Sequence, residues 1–355
     1  MTQSTYLPKD YDTFIGIDVD KNSFAFTVKD HGTMNRAKKI PANPENLYNY
    51  IQEHFAHQRV LCAYEAGPTG FHLHDYLTQQ GQPCFIVSPL SIPKAKNDLV
   101  KNNRLDSEKL SMHLRAGELK AIRVPYGHYR ELRHLINMRE NYVRNRKSAK
   151  QRIKALLLSD YLYPEFKDIE QNWSNNYIQH LKKLSCTPAV RQRLDMLLMD
   201  LDYARKQTLS ILKQLRVFNQ EFPEIKQNVE YLQSIPGIGF ITAVSILGRI
   251  GDPRNLQDVR EIAAFTGIVP TEKSTGDSIN HGSITHLGNQ NLRCLLIEAA
   301  WVAIRKDTEL HQFYCRIKAR HHPRIAARKA IVAVARKLTQ RIYKILKEQR
   351  VYITH

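Results

Sequence analysis

Residues 13–28 read Thr13-Phe14-Ile15-Gly16-Ile17-Asp18, then Val19-Asp20-Lys21-Asn22, then Ser23-Phe24-Ala25-Phe26-Thr27-Val28. The first run is apolar and β-rich until it ends on an aspartate. The last alternates large and small residues with period two, and the connector carries turn chemistry, so the spacing predicts a β-hairpin. Working outward, 44–55 has a helical pattern, and Arg59-Val60-Leu61-Cys62-Ala63-Tyr64 reads as a buried strand. A helix is predicted over 69–80, stopped by Gly81, followed by a strand at Cys84-Phe85-Ile86-Val87 and a helix over 105–119. Hairpin strands followed by β–α units give a mixed sheet flanked by helices.

The texture changes after that. Residues 129–222 contain no glycine, and Leu, Ile and Met recur among many cations: Arg139, Arg144, Arg146, Lys147, Lys150, Arg152 and Lys154 crowd one stretch. Long helices are predicted, with an antiparallel coiled coil as the natural pairing. Their charge is either a solvated face or a face turned to nucleic acid, and the balance of the whole chain favours the second. From about 229 a separate helical domain begins, with the turn Ile235-Pro236-Gly237-Ile238-Gly239, a Gly/Ser/Thr/His-rich loop over 270–289 and a basic helix over 325–347. The expected fold class is α/β plus all-α: a sheet domain at 1–127, a helical coiled-coil region at 128–225 and a helical domain at 226–355.

The 355 residues suffice for two or three domains, and a 42% hydrophobic content supports ordinary cores. Lys and Arg number 53 against 34 Asp and Glu, a net charge of +19, with a pI near 9.7. Such a field concentrates polyanions, of which nucleic acid is the commonest; charge alone favours a nucleic-acid partner over a ribosome-associated or merely basic protein. The five cysteines are scattered and form no C-x-x-C pair, which argues against a zinc ribbon or a disulfide framework. A reducing cytoplasm is the expected location. The start MTQSTYLPKDYD has no apolar core, and no stretch approaches 18 apolar residues, so no membrane association is expected.

Three carboxylates stand where buried elements emerge. Asp18 closes one strand, Glu65 closes another, and Asp106 opens a helix. Each alone is explained as a turn or helix cap. Converged, they repel one another, and a hard divalent cation such as Mg²⁺ relieves that repulsion while orienting phosphate oxygens.

The hairpin 13–28 resembles the opening of an RNase H-like, or RuvC-like, domain. Tyr64-Glu65-Ala66-Gly67-Pro68-Thr69-Gly70 is similar to the second acidic motif of the DEDD transposases of the insertion-sequence-110 family, and Val100-Lys101-Asn102-Asn103-Arg104-Leu105-Asp106 to their third block. That block usually reads V-K-T-D-x-x-D, two aspartates on one helical face. The resemblance implies a Mg²⁺ site at Asp18, Glu65, Asn103 and Asp106. Asn103 departs from the pattern, keeping an oxygen ligand but losing the charge, so this chain is expected to be impaired.

The run Leu232 to Val244 resembles a helix-hairpin-helix, in which Pro236, Gly237 and Gly239 would let backbone N–H groups approach a phosphate. A plain helical turn is the competing reading. Ala264 to Pro270, then Glu272-Lys273-Ser274-Thr275-Gly276, then Gly282-Ser283-Ile284-Thr285 and Leu287-Gly288-Asn289 with Leu292-Arg293, resembles the same family's C-terminal transposase domain. There a serine just before the glycine attacks DNA to give a covalent phosphoserine, activated by the metal of the first domain. Direct alignment puts Thr275 in that slot. Ser274 is adjacent and, as a primary hydroxyl, less hindered; both remain open, with Ser278 a distant third. Lys273, Asn289, Arg293, Arg328 and Lys329 are expected nucleic-acid contacts. The histidines have no ligand spacing.

The resemblance further implies an RNA-guided recombinase of a bacterial or archaeal insertion sequence. It would act on donor and target DNA with a structured bridge RNA, as homodimers assembling into a tetramer through the middle helices. Two competing readings stay open: a RuvC-like junction endonuclease without a covalent intermediate, and an inactivated transposase that only binds nucleic acid, which Asn103 favours.

Overall fold

The computed structural model describes residues 6–89, 91–93, 103–162, 173–272, 281–285 and 287–353. The chain divides into two compact units, 1–124 and 125–355.

In the first unit, strands β1 (Thr13–Val19), β2 (Ser23–Asp30), β3 (Asn35–Pro41), β4 (Val60–Glu65) and β5 (Cys84–Val87) form a sheet of order β3-β2-β1-β4-β5. The first three are antiparallel neighbours, and β4 and β5 join parallel. This mixed sheet is consistent with the RNase H-like domain expected from the sequence. β3, Asn-Arg-Ala-Lys-Lys-Ile-Pro, was not predicted: it lies at the sheet edge and is largely exposed, so it carries the cations of a protected edge rather than an alternating pattern.

One face of the sheet is covered by α1 (Pro44–Phe55) and α2 (His72–Gln79) over Ile15, Ile17, Phe26, Cys62 and Tyr64. The other is covered by α3 (Asn103–Arg115), whose Leu110 and Leu114 pack on Phe14, Leu61, Ala63 and Phe85. Gly16 lets α3 lie close. A Cβ there would stand 2.3 Å from the Ser111 nitrogen and 2.4 Å from the Ser107 oxygen. Gly16→Ala is expected to force the helix off the sheet and cost about 1–3 kcal/mol; an unchanged urea midpoint would refute this.

The second unit is built on two long helices, α4 (Gly127–Ser159) and α6 (Pro188–Glu221), with the short α5 (Asn175–Lys183) between them in sequence. They run antiparallel: Ile153 and Leu156 share a cluster with Leu194 and Leu198, and the Tyr142 and Tyr203 rings meet at 5.9 Å. Buried α6 residues Leu194, Leu197, Leu201, Ala204, Thr208, Ile211 and Leu215 fall at alternating steps of three and four, the spacing of a two-helix seam. One end of the pair, at Leu132, Ile136, Ile211 and Leu215, enters a larger core. That core is shared by α7 (Pro223–Gln233), α8 (Phe240–Ile250), α9 (Arg260–Thr266), α10 (Gln290–Lys306), α11 (Thr308–Ala319) and α12 (Pro323–Glu348). A two-stranded hairpin, β6 (Pro270–Glu272) and β7 (His281–Ile284), interrupts them where a loop was expected. Among the described residues no helix is long and apolar enough to cross a membrane.

Candidate functional site

The sheet brings two of the carboxylates together by register. Ile17 pairs with Tyr64 in the parallel β1–β4 ladder, so Asp18 and Glu65 stand one step further along neighbouring strands. Side chains alternate across a strand. Phe14 and Gly16 face α3 from β1, and Leu61 and Ala63 face it from β4, so Asp18 and Glu65 project on that same face. Asp18 is half-buried and Glu65 exposed.

The direction of α3 brings the third. Arg115, at its last residue, donates to the Asp30 carbonyl at 3.1 Å, and Asp30 pairs with Thr13 at the start of β1. Ser107 and Ser111 lie over Gly16. The helix therefore runs antiparallel to β1, and its first turn, with Asn103 and half-buried Asp106, lies toward the Asp18 end. A 2.9 Å hydrogen bond between the Ser107 and Thr27 hydroxyls locks that placement from β2.

Among the described residues, no group of three or more His, Cys, Asp or Glu is arranged to hold a metal ion. Asp18, Glu65 and Asp106 therefore form no such group by themselves, and the Asn103 side chain lies outside what the structure describes. Hard oxygen donors converging on one sheet edge still fit Mg²⁺, which keeps several waters and is commonly held by one or two carboxylates together with substrate phosphates.

In the second unit the turn between α7 and α8 is pinned by Ile235 and Ile238, both buried. Gly237 has φ +90°, and a Cβ there would stand 2.2 Å from the Ala299 oxygen. Its smallness serves packing against α10. Gly239 begins α8 without a side-chain cap and is exposed with nothing near it; its neighbour Pro236 is half-buried. An uncapped N-terminus leaves backbone N–H groups available to an anion.

The predicted nucleophile loop is mounted on β6–β7. Lys273, Ser274, Thr275 and Ser278 lie outside the described residues, but the base of the hairpin is firmly held. Thr285 N–H donates to the Val269 carbonyl at 2.9 Å, and Asn289 N–H to the Phe265 carbonyl at 2.8 Å. Gly288, at φ +117°, leaves only 2.4 Å between a would-be Cβ and the Phe265 oxygen. Asn289 and Arg293, expected to touch nucleic acid, have structural duties here. The Asn289 side chain caps α10 by accepting from Leu292 N–H at 2.8 Å. Arg293 is 8% exposed and donates to the Thr266 carbonyl at 2.9 Å. Arg328 and Lys329 are exposed on α12.

Sequence reasoning missed the charge cluster behind this mount. Glu140 on α4 accepts from Arg249 on α8 at 2.5 Å and from Asn291 at the start of α10 at 2.6 Å. The ion pair is largely buried, with 8% and 14% of the Arg249 and Glu140 side chains exposed. Burial also pushes the nearby Arg133 and Arg139 down from the usual guanidinium range. No sequence signal links residues 109 positions apart.

Residues 15–161 match the DEDD transposase model of the IS110 group, described as "Transposase", and residues 229–315 match the "Transposase IS116/IS110/IS902 family". The chain is 28% identical over 298 residues to the putative transposase y4qE of Sinorhizobium fredii, covering 82% of this chain and 71% of that one. It is 25% identical over 347 residues to the transposase for insertion sequence element IS1111A of Coxiella burnetii, covering 95% and 90%. It is also 24% identical over 348 residues to a pilin gene-inverting protein of Moraxella bovis, covering 95% and 97%.

Proposed function

The chain belongs to the IS110 family of transposases, and from that premise we propose that it cuts and exchanges DNA strands through a covalent link between a loop hydroxyl and phosphate. The observation that carries the reading is the placement of Asp18 and Glu65 one register step past the paired strands, on the face where α3 brings its first turn.

In this reading Asp18, Glu65 and Asp106, with Asn103, would hold a divalent cation. When bound there, Mg²⁺ would neutralise charge on the phosphate oxygens and favour in-line displacement. The hydroxyl of Ser274 or Thr275 attacks phosphorus; the new O–P bond forms as one P–O bond to deoxyribose breaks, leaving a free sugar hydroxyl. A sugar hydroxyl on the partner strand reverses the step and releases the side chain. One phosphodiester is traded for another, so no nucleotide cofactor is consumed. The pilin gene-inverting relative supports this conservative exchange over simple hydrolysis, because inversion requires rejoining as well as cutting.

The open N-terminus of α8 at Gly239, with Pro236 and Gly237 shaping its turn, serves as a sequence-independent phosphate contact. Arg328 and Lys329 add charge on α12, and Lys273 beside the nucleophile. Sequence choice comes from a structured bridge RNA pairing with donor and target DNA. The working unit is a homodimer that assembles into a tetramer. Met196, Met199 and Tyr203, exposed at one-turn spacings on α6, support self-association through the middle helices.

The test is a denaturing gel of the chain with junction DNA, the element's flanking RNA and Mg²⁺. A protein–DNA band that needs the metal is expected. Cleavage without such a band would establish a junction endonuclease instead, and binding without cleavage an inactivated transposase.

A further inference from the structure

Beside the carboxylate edge lies a cavity of about 630 Å³, bordered by Ala25, Ala37, Lys38, Lys39, Arg104 and Ser107. Its depth follows from the sequence. On the α3 face, β2 and β3 present Ala25, Thr27 and Ala37, whereas their core face carries Phe24, Phe26, Val28 and Ile40. Small residues on one face leave a trough.

Its open end is fixed by what α3 covers. Ser107 bonds Thr27. Glu108 takes the Asn35 amide at 2.8 Å and the Lys29 ammonium at 3.3 Å. The strand ends at Thr13, Lys29 and Asn35 are thus closed, and the trough remains at the opposite end of β2 and β3. There Asp18 pairs with Ala25, and Ala25 with Lys39. Cross-strand partners share a face, so Lys39 stands on the face of Asp18, two strands and about 10 Å away. Arg104 comes from the first turn of α3, two residues before Asp106. Lys38 projects to the other face, its ammonium 4.4 Å from the centre of the Tyr50 ring.

Among the described residues no carboxylate lines the trough, and the one aromatic residue at it, Phe26, is wholly buried in the opposite core. Cations over a floor of small residues suit a phosphodiester backbone, and a lining with no exposed ring among the described residues offers bases no stacking platform. We propose that this trough carries the backbone of the DNA strand being cut to the carboxylate edge, with Lys39 and Arg104 gripping phosphates next to the scissile one. The inference rests on the function proposed above. It makes the two cations positioning residues and gives the unpredicted strand β3 a part in the reaction. Edge lysines also serve simply to prevent sheet-to-sheet pairing, and the experiment separates these roles.

The experiment uses the full chain carrying Asn103→Asp, with Lys39→Ala, Arg104→Ala, the double variant and Lys39→Arg added to it. A twenty-nucleotide oligothymidylate reports binding across a salt series, and junction DNA with flanking RNA and Mg²⁺ reports strand exchange. Each lost charge is expected to reduce the slope of log affinity on log salt by about 0.7, the single-strand value. The double variant should require at least tenfold more junction DNA for half-maximal rate, with Lys39→Arg restoring the slope. A lowered melting temperature would mark a folding defect, in which case the Lys39→Ala and Lys39→Arg pair alone decides. Unchanged slope and half-saturation in the double variant overturn the proposal. So does a slope change seen only with the flanking RNA, which would assign the trough to the guide. A parent chain that makes no product refutes the proposed function while the salt series still reads the trough.

Discussion

Ser274→Ala is expected to remove the covalent protein–DNA band and lower strand exchange by about 10⁴-fold or more, the scale on which losing a nucleophile acts, with DNA binding intact. Thr275→Ala is expected to keep the band. Ser274 is a primary hydroxyl, whereas the β-branched Thr275 is hindered at its carbon and restricted at χ1. Both residues fall in sequence between β6 and β7, and the chain flanking these strands is fixed by Thr285, Gly288 and Asn289. In-line attack on phosphorus is geometrically exacting, so a one-residue choice between adjacent hydroxyls matters. The readout is the same denaturing gel with both single variants beside the parent. Loss of the band with Thr275→Ala and its survival with Ser274→Ala would reverse the assignment; survival in both would refute a hydroxyl nucleophile at either position.

The sheet was legible where burial imposes a pattern. β1, β2, β4 and β5 announce themselves as apolar runs because both faces are covered, and the long helices because 129–222 lacks glycine. β3 was not, since an edge strand with mostly exposed side chains has no core to impose alternation. The hairpin β6–β7 was hidden in the same way by a Gly/Ser/Thr composition that also describes loops. At the candidate site, the carboxylates were readable as strand and helix ends. Their convergence at one sheet edge was read from strand order and the resemblance, but not what holds it, because that depends on Gly16 admitting α3 and on the Ser107–Thr27 bond, contacts between segments about 80–95 residues apart. Gly237 and Arg293 show the converse: residue types that suit phosphate recognition also suit tight packing and a buried carbonyl, and composition does not distinguish the two.

Asn103→Asp is expected to raise Mg²⁺-dependent strand exchange on the order of 100-fold. Altering groups that only orient metal ligands costs 10–100-fold, and the change here is to a ligand's own charge. Residues 103 and 106 open α3 at i and i+3, one helical face, so a second aspartate would add its charge beside Asp106 at the edge where Asp18 and Glu65 end. Without metal the new carboxylate has two opposed effects. It repels Asp106, and it sits favourably at a helix N-terminus, where a negative charge contributes about 0.3–1 kcal/mol. The two offset, so metal-free stability should change by less than about 1 kcal/mol. Adding Mg²⁺ removes the repulsion and leaves the attraction. The melting temperature of the Asp form should therefore rise with Mg²⁺ more than that of the parent, and its half-saturating Mg²⁺ concentration should fall. Measuring rate and melting together separates the causes. A faster rate without the Mg²⁺-dependent shift would mean that residue 103 acts on DNA rather than on the cation, and equal rates in the two chains would mean that an amide oxygen serves this site as well as a carboxylate.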